Sequence, residues 1–144
     1  MKLIFLAQIG STLFMVGLIW FVQVVHYPLF SQVGQALFTA YETAHTRLTT
    51  LIVGPAMLVE AATAALLIPF RPTEVLLSQV WVGAVLLAII WLSTVLVQIP
   101  QHNVLAAGFD SRAHQLLVVS NWIRTAAWSG RGLLMLWMVA TVMR

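Results

Sequence analysis

The chain has 144 residues, 61% of them hydrophobic and only 8% charged, with a mean hydropathy of +0.97. Soluble globular domains carry roughly 25% charged residues, so the composition excludes a water-soluble globule and predicts a single integral membrane domain. The absence of cysteine excludes disulfide staples, iron–sulfur clusters and thiolate metal sites. The formal net charge of +3 comes without a basic run, so nucleic acid is excluded as a partner.

In chain order, Leu3–Val25 is uncharged and predicts a first membrane span over about residues 3–26. The run is too long for a signal-peptide core, and Gln23-Val-Val-His-Tyr-Pro offers no small-residue cleavage site. Phe30, Val33, Leu37 and Tyr41 then recur at helical spacing, which predicts a short interfacial helix in the first outer loop. Leu48–Phe70, with Glu60 as its one charge, predicts a second span over about 46–69. Arg71-Pro-Thr-Glu74 reads as a tight turn, and the uncharged Val75–Val97 predicts a third span over about 75–99. Beyond the loop Pro100–Arg112, the stretch Ala113–Met143 is apolar except for Arg124 and Arg131 and predicts a fourth span, about 113–141. Backbone amides inside lipid must be satisfied within the chain, so the expected fold is all-α, a four-helix transmembrane bundle. Lys2, Arg71 and Arg144 fall on the side of the termini and Arg47 and Arg112 on the other. The positive-inside rule then places both termini in the cytoplasm of a multi-pass inner or plasma membrane protein. The halves 1–72 and 73–144 are each one hairpin, and Val22-Gln23 before His26 faintly echoes Val97-Gln98 before His102.

Polar residues inside a bundle are costly in hydrocarbon and therefore informative. On a helical wheel, Gln8, Thr12, Gln23 and His26 share one face, and Glu42, His45, Thr49, Glu60 and Thr63 another. Trp91, Thr94 and Gln98 line up toward His102. His114, Asn121, Thr125 and Trp128 form a stripe with Arg124 at its edge. The four histidines, His26, His45, His102 and His114, all fall at the predicted outer helix ends. Glu42 precedes His45 by three residues, the Glu-x-x-His spacing of carboxylate-bridged metal bundles. These five are the expected metal ligands, for Cu, Fe or Zn. Haem b held by a pair such as His26 and His102 is the alternative, and ordinary interfacial histidines are the bland one.

Below that layer, Arg124 and Asn121 are the candidate catalytic pair, orienting an acidic or carbonyl oxygen and stabilising a developing phenolate or enolate. Gln23 and Gln98 are expected to hold the same polar end of a lipophilic ligand, between flat walls formed by Trp91 and Trp128. The competing reading sends Arg124 up to Glu42 or to helix-end carbonyls. Glu60 and Arg131 fall at similar depth and predict a structural ion pair.

The stretch Gln98-Ile-Pro-Gln-His-Asn-Val-Leu, followed by Asn121-Trp-Ile-Arg124, resembles the small four-helix membrane proteins of unknown function whose fungal relatives include the anthrone oxygenases. The matching positions are Pro100, Asn103, Trp122 and Arg124, with Trp128 and Arg131 fitting the last two equally well, and the likeness covers the last third of the chain. It implies oxidation of a planar, phenolic, lipophilic molecule by O₂. The expected function is therefore a small, oxygen-using membrane oxidoreductase with a histidine-ligated metal centre and a lipophilic small-molecule substrate. The alternatives are a haem b electron carrier and a non-catalytic subunit of a membrane complex. Homo-oligomerisation or a partner subunit stays open, and membrane lipid is the expected surrounding.

Overall fold

The structure is a computed structural model that describes residues 1–143; Arg144, counted above with the terminal charges, lies outside the described residues. All regular elements among the described residues are helical. Helix α1 (Lys2–Phe21) runs through a π-helical turn (Val22–His26), the short α2 (Tyr27–Leu29) and a 3₁₀ turn (Phe30–Gln32). Val33 and Gly34 lead into α3 (Gln35–Phe70). Helix α4 (Leu77–Ser93) continues through a second π-helical turn (Thr94–Gln98) into α5 (Ile99–Ala106), and α6 (Ser111–Val142) follows. Three continuous stretches, Lys2–Gln32, Gln35–Phe70 and Leu77–Ala106, are long and apolar enough to cross a membrane. With 32 residues α6 is also long enough, but Arg124, Arg131 and its Ser, Asn and Thr residues leave it less apolar than the others.

The predicted interfacial helix is not a separate element. Phe30 belongs to the 3₁₀ turn, Val33 to the link, and Leu37 and Tyr41 to the first turns of α3, which is unbroken for 36 residues. No glycine or proline interrupts Gln35–Val53, so nothing stops the helix between loop and span. At 1.5 Å per residue α3 is about 54 Å long, well beyond the roughly 30 Å of a hydrocarbon core.

The two π-helical turns share a cause. Each ends two residues before a proline, Pro28 or Pro100. Proline has no N–H and its ring displaces the carbonyl four residues upstream, here Val24 and Leu96, which lie inside the two turns. The widened turn accommodates the loss. The internal repeat is thus carried by π-turn and proline, which pairs His26 with Gln98 rather than with His102.

Helix α1 packs on α3 and α6, α6 on α4, and α4 on α3. One apolar cluster includes Met15, Ile19, Phe30, Phe38 and Leu117, and a second, at the other end, includes Phe5, Leu67, Val80, Met135 and Met138. Between them lies a polar knot. Glu60 Oε1 accepts from Arg131 Nε at 2.9 Å and from Thr12 Oγ1 at 2.8 Å, and its Oε2 accepts from Trp128 Nε1 at 3.0 Å. Arg131 also donates to the Gly83 carbonyl. Gln8 bridges Thr12 and Thr63, at 2.9 Å to each. The expected Glu60–Arg131 pair therefore forms, and Trp128 serves it rather than lining a pocket. Meanwhile Leu3, Leu96 and Leu133 are 81%, 67% and 70% exposed. Apolar outside and polar inside is the arrangement that lipid favours and water penalises.

Close helix contact has one tight point. A Cβ on Gly132 would sit 3.0 Å from Val16 Cγ2 across the α1–α6 contact, and valine is stiff at χ1. Gly132→Ala should cost about 1–3 kcal/mol through overpacking, read as a lower unfolding midpoint. Val16→Ala in the same chain should restore part of it. The connection to α6 turns at Gly108, whose φ of 149° favours glycine, and Asp110 caps α6 by accepting from the Ala113 N–H at 2.7 Å.

Candidate metal centre and adjoining cavity

The C-terminal end of α1 with α2, the start of α3, α5 and the start of α6 meet at one end of the molecule. Glu42 and His45 share a face of α3 because they are three residues apart, and α5 brings His102 against them. Ligand atoms of Glu42, His45 and His102 all lie within 4.8 Å of one another. Glu42 Oε1 is 2.5 Å from His102 Nδ1, and the other carboxylate oxygen, Oε2, is buried without a partner. His102 Nε2 meets the Tyr27 hydroxyl at 3.0 Å. His45 Nδ1 lies 2.9 Å from His26 Nε2 and 3.1 Å from Thr49 Oγ1.

Of the five expected ligands, three are gathered and His26 stands directly behind them, its ring centroid 4.7 Å from that of His45. His114 is placed differently. Its Nε2 donates to the Tyr27 carbonyl at 2.8 Å, which ties α6 to α2. The same carbonyl also accepts from the Phe30 N–H where the helix tightens into the 3₁₀ turn. Tyr27 and Thr49 were not among the expected site residues. Tyr27 is 5% exposed, and its position between His26 and Pro28 carries no helical-wheel signal because the π-turn shifts the register.

Beside the cluster is a cavity of about 520 Å³, within the size range of small-molecule sites. Its polar lining comes from Tyr27, His45, His102, Trp91, Gln98 and Arg124, and its apolar body from residues such as Met15, Ile19, Val53 and Met57. Asn103 also reaches it. Arg124 is 7% exposed, has no carboxylate partner among the described residues, and faces the Tyr27 phenol. Its Nη1 donates to Asn121 Oδ1 at 3.2 Å and its guanidinium lies 5.2 Å from the Trp128 ring centroid. It does not pair with Glu42, which His102 occupies.

Asn121 and Gln23 stand behind Arg124 rather than in the cavity wall. Asn121 Nδ2 donates to Gln23 Oε1 at 2.9 Å, and Gln23 Nε2 donates to the Val118 carbonyl at 3.1 Å. They hold the arginine; only Arg124, Gln98 and Trp91 of the expected ligand-binding set reach the space itself. Trp122 is 48% exposed on the outer face, edge-on to Trp20 at 5.7 Å.

No protein family, curated protein or solved structure matches the chain. Of the residues that suggested a resemblance in the sequence, Asn103 and Arg124 line the cavity.

Proposed function

We propose that the chain is a four-span membrane oxidoreductase whose Glu42, His45 and His102 hold one metal ion beside a cavity for a lipophilic substrate. The observation that carries this reading is the convergence of those three side chains, from α3 and α5, with His45 and His102 on the wall of the cavity. Two imidazoles and a carboxylate are the donor set of non-haem iron(II) oxygenases and also of His₂Glu zinc sites; copper accepts the imidazoles as well. The set fits a cation for a second reason. A buried carboxylate oxygen without a partner is costly, and Glu42 Oε2 is one. When bound, a redox-active ion would supply the activation of O₂ that the expected oxygenase chemistry needs.

The chain's own residues supply the rest. Glu42 and His102 Nδ1 would hold an ion in place of their mutual contact, and the Tyr27 hydroxyl orients the His102 ring through Nε2. Arg124, held by Asn121, faces the charge that develops on a substrate oxygen. The apolar wall keeps water from it. Haem b is disfavoured because the His45 ring packs against both His26 and His102, with ring centroids 4.7 and 5.3 Å apart, leaving no slot for a macrocycle between them. All four rods crossing one bilayer, both termini cytoplasmic, complete the reading.

Elemental analysis of the purified protein tests it. The expected result is about one Fe, Zn or Cu per chain, lost in His45→Ala; a metal-free protein that takes up none of the three speaks for the accessory-subunit reading. Tyr27→Phe should weaken metal binding by about 10–100-fold, as outer-shell partners do, measured by competition with a chelator.

A further inference from the structure

We propose that the cavity takes a lipid-soluble weak acid, a long-chain carboxylate or phenol, which enters sideways between α3 and α4–α5. This names a substrate class for the site just described but stands without the metal.

Three buried polar atoms in the described structure lack partners and belong to cavity-lining residues: Arg124 Nε, Trp91 Nε1 and Gln98 Oε1. Arg124 and Gln98 are 7% and 2% exposed. Two of the three atoms are N–H donors, one on a cation with no carboxylate beside it. An unpaired guanidinium at this depth calls for an anion or an oxygen rich in lone pairs. The third atom is an acceptor. Gln98 Nε2 is engaged with Ser120 Oγ at 3.0 Å, so Gln98 Oε1 is left to receive a hydroxyl. A head group that accepts two hydrogen bonds, bears or develops negative charge, and can present an O–H meets all three. A carboxylic acid or a phenol does so; an ester, an amine or a hydrocarbon does not.

The cavity is not sealed. Leu58 of α3, Val95 of the second π-helical turn and Ile99 of α5 line it and are also open to the outer face.

 In chain order the three side chains are 62%, 51% and 47% exposed. The opening therefore lies on the flank, among side chains suited to lipid, and not at the end of the molecule. From Thr46 to Leu58 it follows α3 for about 18 Å at 1.5 Å per residue. A ligand dissolved in the bilayer reaches the polar atoms through this slit with its head inward and its apolar chain trailing outward.

The test uses the full chain in lipid nanodiscs, stripped with chelator, with binding followed by tryptophan fluorescence against empty nanodiscs. The probes are two pairs: dodecanoate with 1-dodecanol, and 4-octylphenol with 4-octylanisole. At least one acid is expected to bind tenfold or more tightly than its neutral partner, and which one does identifies the head as carboxylate or phenol. Arg124→Gln should bring that ratio to about one, and Val95→Trp should slow association at least fivefold while leaving the ratio unchanged. Ratios within twofold for both pairs in the wild-type protein overturn the proposal without needing any variant to fold. Unchanged association in Val95→Trp overturns the sideways route. Because the protein is metal-free, acid-selective binding survives a failure of the metal reading, and metal uptake survives a failure of this one.

Discussion

Glu60→Leu should destabilise the protein by about 3–5 kcal/mol, the cost of leaving one member of a buried ion pair behind. Glu60 and Arg131 are 0% and 1% exposed, so neither charge can turn to solvent. Loss of the carboxylate strands the Arg131 guanidinium, the Thr12 hydroxyl and the Trp128 indole N–H together. Only the Gly83 carbonyl remains for the arginine. The double variant Glu60→Leu with Arg131→Met should recover most of the loss, because an apolar replacement of both partners leaves no unpaired charge. Denaturation midpoints of the wild type and the two variants in one detergent read both effects. A single variant as stable as wild type would show that Glu60 does not hold these helices together.

His102→Ala should lower metal affinity by more than about 100-fold, beyond what outer-shell partners contribute. It removes a ligand, the 2.5 Å partner of Glu42 and the acceptor or donor facing Tyr27 at once. His114→Ala should leave affinity nearly unchanged, since its Nε2 is spent on the Tyr27 carbonyl. The contrast between two histidines at the same end of the molecule separates ligation from general stabilisation. Chelator competition measures affinity, and the unfolding midpoint in the metal-free state checks that neither variant is simply unfolded.

Much of the fold was legible because hydrocarbon-compatible runs have a length and a composition that little else shares. The three most apolar stretches were located, with the ends at Lys2, Phe70 and Leu77 within two residues, but the helices run on to Gln32, back to Gln35 and on to Ala106, beyond the apolar runs. The pairing of Glu60 with Arg131 followed from counting depth along two helices. What escaped the sequence was local geometry at the prolines. Pro28 and Pro100 widen the turns before them, and a wheel drawn at constant pitch loses register there. Tyr27 therefore went unnoticed although it stands between the Glu42–His45–His102 group and Arg124. Counting helix ends put His114 with the other histidines, but depth alone does not reveal that its ring is committed to the Tyr27 carbonyl. Trp128 was read by its face alone, and a face does not reveal that an indole N–H has a carboxylate within reach.

Gln23 and Asn121 show a related limit. Both lie on the polar faces expected of them, yet they bond to each other and to the Val118 carbonyl. Periodicity assigns a residue to the interior without distinguishing the wall of a cavity from the support behind it. Gln98 and Arg124 differ from them only in keeping one polar atom unpartnered, a property that side-chain positions alone reveal.

X-ray absorption at the metal edge of the loaded protein tests the central claim most directly. The account predicts scattering from two imidazole nitrogens and carboxylate oxygen at about 2.0–2.2 Å, with one imidazole contribution lost in His45→Ala. A bound metal whose spectrum contains no imidazole scattering, or is unaltered by that substitution, would contradict it.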